Sequence, residues 1–528
     1  MQLNLTDIHF TYPGSVHEAV AGLTVSFPVS WCGIIGDNGC GKTTLAKLIV
    51  RQLKPDTGSI FPDLVAAYCP QDTHVPPADL EDFALDFERD TLRLRDEMRI
   101  DDAWLWRFDE LSSGQRKRIQ IAVALWKHPD VLVLDEPTNH LDILARRCVL
   151  SALKRYGGIG ILISHDRDLL DALVSRCLIF DGSGAHMVPG TYSQATQQVT
   201  QARTAASARQ HEARAEQKRL EAERQRRREV ASHSDALRSR KGLSAKDHDA
   251  REKIGRAIVS GKDGIATRQT TLLNARIARA EKDRSSAFVE KRYNGQVPCF
   301  GALSRRSYLA HLSAGVLTYG KAAKDGSAAL EGDKDHDGEG LTIPELYVGP
   351  SDHIGIVGAN GTGKSTLVRA LVETFPADVS ALVVEQELPD EKRLAARERL
   401  AALSSVERGR VLSVIAQLNS RPEAFLEDGE LSPGELRKLI IGEAILDEVE
   451  IIVMDEPTNH LDLHSVEALA VLLREFVGAV ILVSHDMRII HEVCTTTWEL
   501  RAHEAGTALN SRMKAIQDTA RGATLVVN

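Results

Sequence analysis

Short apolar runs that end at a glycine, a carboxylate or a histidine recur along this chain, and they come in pairs. VLVL before Asp135 is matched by IIVM before Asp455, IGILIS before His165 by AVILVS before His485, and GII before Gly36 by IGIV before Gly358. Aliphatic runs of this kind predict parallel strands buried on both faces, with their polar ends emerging at the carboxyl edge where open sheets bind ligands. Beyond each glycine motif the apolar spacing becomes helical, in LAKLIVRQL and LVRALVET.

The pairing extends to four motifs in one order. GDNGCGKTT (36–44) answers GANGTGKST (358–366) at an offset of 322, while LSSGQ and LSPGE, the two copies of DEPTNHLD (135–142 and 455–462), and LISHD and LVSHD stand 320 apart. A duplicated α/β domain follows, and 528 residues are enough for two cores. Between the copies the pattern changes. Val199, Ala206, Ala213 and Leu220 recur every seven residues with Ala202 on the same side, and Leu273, Ile277 and Ala280 form a second stripe. Such narrow seams predict two antiparallel helices packed as a coiled-coil hairpin. The first, over about 196–232, would extend roughly 50 Å at 1.5 Å per residue.

Composition narrows the class. With 43% hydrophobic and 26% charged residues the chain reads as an ordinary soluble protein. It has no apolar run near the roughly 18 residues a membrane span needs, and MQLNLTDIHF lacks the charged start and apolar stretch of a signal peptide. A cytoplasmic location without membrane insertion is the expectation. The seven cysteines are scattered without a CxxC pair, which indicates neither a disulfide framework nor a zinc site. The net charge of −9 hides a contrast: residues 201–290 hold 22 Lys and Arg against 13 Asp and Glu, so a basic middle sits in an acidic protein.

Both glycine motifs fit the phosphate-binding loop GxxxxGK[ST]. Gly36, Asp37, Asn38, Gly39, Cys40, Gly41 and Thr44 would form the first cradle, and Gly358, Ala359, Asn360, Gly361, Thr362, Gly363 and Thr366 the second. Glycines let successive backbone N–H groups turn inward around phosphate, and the helix behind adds its positive end. In that pattern Lys42 and Lys364 reach the β and γ phosphates, and Thr43 and Ser365 ligate Mg²⁺. Asp135 and Asp455 would hold the same ion. Glu136 and Glu456 would orient or deprotonate the attacking water. His165 and His485, on neighbouring strand ends, would contact the γ phosphate. Alkylation of Cys40 should block ATP at the first loop. The turn of His140 and Asp142 is expected to face the other half rather than bind a metal.

The order of phosphate loop, glutamine loop, LSGGQ-like signature, DE-ending strand and histidine resembles the ATP-binding cassette ATPases. The resemblance implies an α/β fold of two ABC-type P-loop nucleotide-binding domains joined by a long α-helical hairpin linker, divided as 1–195, 196–297 and 298–528. It assigns Gln71 and Gln386 to the glutamine loops that reach Mg²⁺ and the attacking water and Tyr12 to adenine stacking; it gives no clear equivalent of Tyr12 in the second half, where Leu317 or Tyr319 is a guess. Asp142 and Asp462 match the loop through which two cassettes sense each other. The cassettes would pair head to tail within a monomer. One ATP would lie between the Gly36 loop and Ser432 and Gly434 of LSPGE, the other between the Gly358 loop and Ser112 and Gly114 of LSSGQ. Pro433 has no N–H to donate and Glu435 replaces the usual glutamine, so the Lys42 site should bind or close differently.

Two cassettes each carrying DEPTNHLD, no membrane segment and a charged helical linker together resemble the ABC-F family. This implies an ATP hydrolase that works on the ribosome, contacting rRNA and directing its linker toward P-site tRNA and the peptidyl-transferase centre, in translation or in antibiotic resistance by ribosomal protection. Only 28 residues separate Thr43 from Gln71, which leaves no room for the arm some translation-factor members insert there and leans toward protection. The linker tip carries Arg238, Arg240, Lys241, Lys246, Arg251, Lys253, Arg256 and Lys262, and no Phe, Trp or Tyr occurs from Ser193 to Ala287. Without a stacking platform, RNA contact would run through phosphate and shape. Two alternatives stay open: an ATPase subunit energising a separate membrane exporter, and a DNA-remodelling ATPase.

Overall fold

The computed structural model describes residues 1–528 except 16, 140, 182–183, 239–270, 280, 282–300, 319–339, 387–389, 427–430, 460, 503–521 and 528. Contacts divide the chain into two units. One is Met1–Ser193 together with Arg292–Asn528 and holds both halves of the duplication; the other is Gln194–Lys291.

In the first half a six-stranded sheet runs Ala66–Cys69, Val131–Asp135, Ile159–Ile163, Trp31–Ile35, Arg176–Asp181, Gly184–Pro189. All neighbours are parallel except the closing hairpin. The second half repeats that parallel order in Ala381–Val384, Ile451–Asp455, Ala479–Val483, His353–Gly358 and Thr496–Ala502. Its sheet then continues to eight strands through Gly522–Val527, Gly340–Ile343 and Gly315–Thr318. The apolar runs are these strands: Val131–Asp135, Ile159–Ile163 and Ala479–Val483 are buried at every position, as helices on both faces require.

Register explains why motifs far apart in sequence meet. Asp135 and Ile34 both lie opposite Ile163, and Asp455 and Ile356 both lie opposite Val483. The phosphate loop, the acidic pair and the histidine therefore leave three adjacent strands at one edge. A separate antiparallel sheet sets Gln2–Phe10 between Val20–Pro28 and Thr57–Phe61. Its apolar face joins the core over the helix Lys42–Ile49 and brings Tyr12 to the phosphate loop.

The helix Tyr192–Arg238 has 47 residues, about 70 Å at 1.5 Å per residue, longer than the seam suggested. Ser193 ties its start to Asp171, the backbone N–H donating at 2.7 Å and the hydroxyl at 2.5 Å. Within the second unit, Leu220 packs with Leu273 and Ile277 of the helical residues 271–279, and Arg276 faces Glu216 at 3.8 Å. Ala202 faces solvent, and Arg203 takes the half-buried place beside Val199 and Ala206, because a helix returns to one face after three or four residues alternately. Ala280 lies outside the described residues. No described helix is long and apolar enough to cross a membrane.

Candidate functional site

Each phosphate loop closes on a glycine in the left-handed region, Gly41 at φ 95° and Gly363 at φ 93°, which starts the helix at the lysine. A side chain cannot replace Gly41, whose Cβ would stand 2.3 Å from the Ala19 carbonyl oxygen. Lys42 Nζ donates to the carbonyls of Gly36 (2.7 Å) and Asp37 (2.9 Å), and Lys364 Nζ to those of Gly358 (2.9 Å) and Ala359 (3.0 Å). These bonds fix each amine across its loop. Tyr12, 40% exposed, meets Thr44 Oγ1 through its hydroxyl at 3.2 Å and sets its ring edge-on to Phe10. Leu317 is buried in the apolar core of the second half and has no face to offer a purine, which corrects that expectation; Tyr319 lies outside the described residues.

The hydroxyl of Thr43 donates to Asp135 Oδ2 at 2.8 Å, and that of Ser365 to Asp455 Oδ2 at 2.9 Å. Hard oxygen donors at this spacing fit Mg²⁺, whose adjacent ligands stand about 2.9 Å apart when bonds are near 2.05 Å and angles near 90°. The halves differ here, because Tyr68 also donates to Asp135 Oδ2 (3.2 Å) and the corresponding position is Val383, opposite Val453 as Tyr68 is opposite Val133.

Glu136 and Glu456 sit at φ 48° and 47°, anchored through backbone N–H bonds to Ile163 O (2.8 Å) and Val483 O (2.9 Å). Burial, and then the neighbouring aspartate, push Glu136 up to about 8. Burial likewise raises Glu456 to about 7 against the pull of Lys364. Burial and the nearby lysine depress both His165 and His485 to about 3. At neutral pH the imidazoles are therefore neutral, and their approaches to the glutamates, 3.3 Å and 3.5 Å, are not ion pairs. Among the described residues, Glu136 Oε1, Glu456 Oε1 and both Nδ1 atoms have no hydrogen-bond partner, so polar atoms wait unsatisfied at the strand ends. His485 Nε2 lies between Asn360 Oδ1 (3.0 Å) and Lys364 Nζ (3.3 Å).

The halves meet over these edges. A cavity of about 440 Å³ is lined from the second half by Lys364, Ser365, Gln386, Asp455, Glu456 and His485, and from the first by Ser112, Ser113, Gly114 and Arg146. Asp142, which caps its own helix through Ala145 N–H (2.8 Å), also accepts from Asn360 N–H at 3.4 Å. Asp462 is held in its own half by Ser465 and the buried Lys438, while Asn419 bridges it to Asp37 of the first half at 3.1 and 2.9 Å. Arg167 reaches Glu467 (3.2 Å), and Arg488 reaches Asp168 (2.7 Å) and Asp171 (3.2 Å). His140 lies outside the described residues.

Ser112 and Ser432 cap their helices in the same way, each closing a capping box, with Gln115 in one and Glu435 in the other; Pro433 occupies the first helical turn. Proline is at home there because that N–H has no intrahelical partner. One pair of buried cations at matching positions of the two halves escaped notice in the sequence. Lys117 Nζ donates to Pro70 O (2.5 Å) and Gln71 O (3.3 Å); Arg437, 320 positions on, donates to Gln386 O (2.5 Å) and to Asn459 O. Each ties a signature helix to the glutamine loop of its own half, leaving Gln71 exposed and Gln386 facing the cavity. A cation in both copies at the duplication offset was the available signal. Of the linker residues, Arg238 ends the described helix; Arg240, Lys241, Lys246, Arg251, Lys253, Arg256 and Lys262 lie outside the described residues.

The ABC transporter family model matches residues 25–139 and 341–459, once in each half. The chain is 29% identical over 566 residues to the tylosin resistance ATP-binding protein TlrC of Streptomyces fradiae, across 95% of this chain and 97% of that protein. It is 28% identical over 484 residues to the ribosome protection protein VmlR of Bacillus subtilis (strain 168), across 86% and 78%. The solved structure of an RNase-L inhibitor superposes with a TM-score of 0.59 at 17% identity, covering 98% of this chain and 90% of that one, a likeness of fold.

Proposed function

Because this chain belongs to the ABC-F family of tandem-cassette ATPases, we propose that it acts on the ribosome, closing on two ATP molecules and placing its linker near P-site tRNA and the peptidyl-transferase region. Two cassettes, 1–195 and 298–528, flank a linker at 196–297. The cavity shared by the Lys364 loop of one half and the Ser112–Gly114 signature of the other carries the reading. A ligand spanning it binds both halves, so intact ATP favours closure through its differential contacts with the closed state, and loss of the terminal phosphate removes them.

In each site the lysine takes the β and γ phosphates, and the signature serine and glycine approach from the opposite half. Thr43, Asp135 and Gln71, or Ser365, Asp455 and Gln386, would hold Mg²⁺, which supplies charge neutralisation across the phosphates when bound. Glu136 and Glu456 take the proton of the attacking water, and the neutral imidazoles of His165 and His485 hold the γ phosphate. Tyr12 stacks on the first adenine. The linker residues from Arg238 to Lys262 contact RNA phosphate. The names of the two relatives, a tylosin resistance protein and a ribosome protection protein, support antibiotic resistance by ribosomal protection as the biological role.

Pelleting through a sucrose cushion tests this. With ATP, protein carrying Glu136→Gln and Glu456→Gln should pellet with ribosomes more fully than the wild type. Trapped protein that stays in the supernatant contradicts the proposal, and recovery with membranes instead would favour the exporter subunit.

A further inference from the structure

The two ATP sites share their motifs, but one receives an arginine from across the interface where the matching position for the other is an apolar valine. Arg146 lies four residues beyond Asp142, one turn into the helix Ile143–Lys154. Its Nε donates to Leu141 O at 3.1 Å and its Nη1 faces Asp166 at 3.3 Å, both within the first half. The side chain, 26% exposed, lines the cavity with Lys364, Glu456 and His485 of the second half. Its charge is felt there, since it opposes the upward shift of Glu456 and deepens the depression of His485. The corresponding residue of the second half is Val466, 6% exposed and packed into the apolar core. No cation can come to the Lys42 site from that position.

We propose that Arg146 of the first half is a catalytic residue of the Lys364 site, where its guanidinium contacts the terminal phosphate of ATP and stabilises the charge that builds there during hydrolysis. A guanidinium suits the task because it stays protonated and its fork matches phosphate oxygens. A cation delivered from a partner surface acts only in the closed state, so hydrolysis at this site is conditional on closure. The Lys42 site keeps its own lysine, glutamate and histidine but no such contribution, and its turnover is the slower of the two. The inference rests on these cavities being ATP sites.

Single-turnover hydrolysis of γ-labelled ATP separates the two sites. Protein with Glu136→Gln reports the Lys364 site, and protein with Glu456→Gln reports the Lys42 site. Adding Arg146→Met should slow the Lys364 site about 100-fold and the Lys42 site by less than about 3-fold, a contrast that a general folding defect cannot produce. Arg146→Lys should recover part of the rate. Equal losses at both sites, or a loss below about 3-fold at the Lys364 site, would overturn the inference. Absence of hydrolysis in Glu136→Gln protein with Arg146 intact would overturn the ATP-site reading itself, and the inference with it.

Discussion

Glu136 and Glu456 carry the same motif and the same backbone strain, yet burial raises one to about 8 and the other to about 7. A general base must be ionised, so hydrolysis rises with pH through these values. Measured as kcat/KM, which reports the free enzyme, Glu456→Gln protein should show a midpoint near 8 and Glu136→Gln protein one near 7. Coincident midpoints near the usual carboxylate value would show that burial does not govern the base. The same shift has a cost in stability. A carboxyl raised in the folded state keeps its proton while the unfolded chain has lost it, so stability falls as pH rises from about 4.5 to about 8 and is level above. Glu136→Gln removes this penalty, and its melting temperature should gain on the wild type across that window. The carboxylates and loop lysines were legible because each follows a strand or opens a helix within a few residues of its motif. Their ionisation was not, since it depends on neighbours brought by other strands. Leu317 failed as a purine contact for a similar reason: strand pairing, invisible in its local sequence, turns it inward.

The signature helices are nearly interchangeable as elements and differ at their tips. From the sequence, Pro433 looked like the defect in LSPGE. In the fold it stands where a helix accepts proline, still without an N–H to offer, and the second departure named from the sequence, the carboxylate of Glu435, accepts from Ser432 N–H at 2.8 Å and from its hydroxyl at 2.7 Å. A negative charge there satisfies the helix end but repels a phosphate approaching it. Glu435→Gln should therefore tighten ATP at the Lys42 site by about 3-fold, a few tenths of a kcal/mol or more as expected for a charge at a helix end, read as nucleotide affinity in trapped protein. Unchanged or weaker binding would remove the charge from the account. The buried lysine behind the same helix in the first half serves position rather than binding. Lys117→Met leaves the carbonyls of Pro70 and Gln71 without their donor and should cost about 2 kcal/mol, seen in chemical denaturation. These ties join elements about 46 residues apart, a distance at which motif spacing is silent.

At the scale of the whole molecule, the sequence set the two sites apart only through Pro433 and Glu435, and the interface adds differences of its own. Asp142 meets Asn360 directly, whereas Asp462 is held by Lys438 and Ser465 and reaches Asp37 through Asn419. Arg146 enters one site, and the matching position of the other is an apolar valine. The repeat marked which residues to compare, but only the packing of the halves revealed which comparisons matter. The hairpin seam was legible as far as the long helix, Leu220, Leu273 and Ile277. Imaging the Glu136→Gln, Glu456→Gln protein on ribosomes with ATP by electron cryo-microscopy tests the central claim most directly. The account predicts two ATP molecules between the halves, with Ser112 and Gly114 on the Lys364 nucleotide, and residues 238–262 beside P-site tRNA at the peptidyl-transferase region. Ribosomes without bound protein, or bound protein whose linker points away from that region, would contradict it.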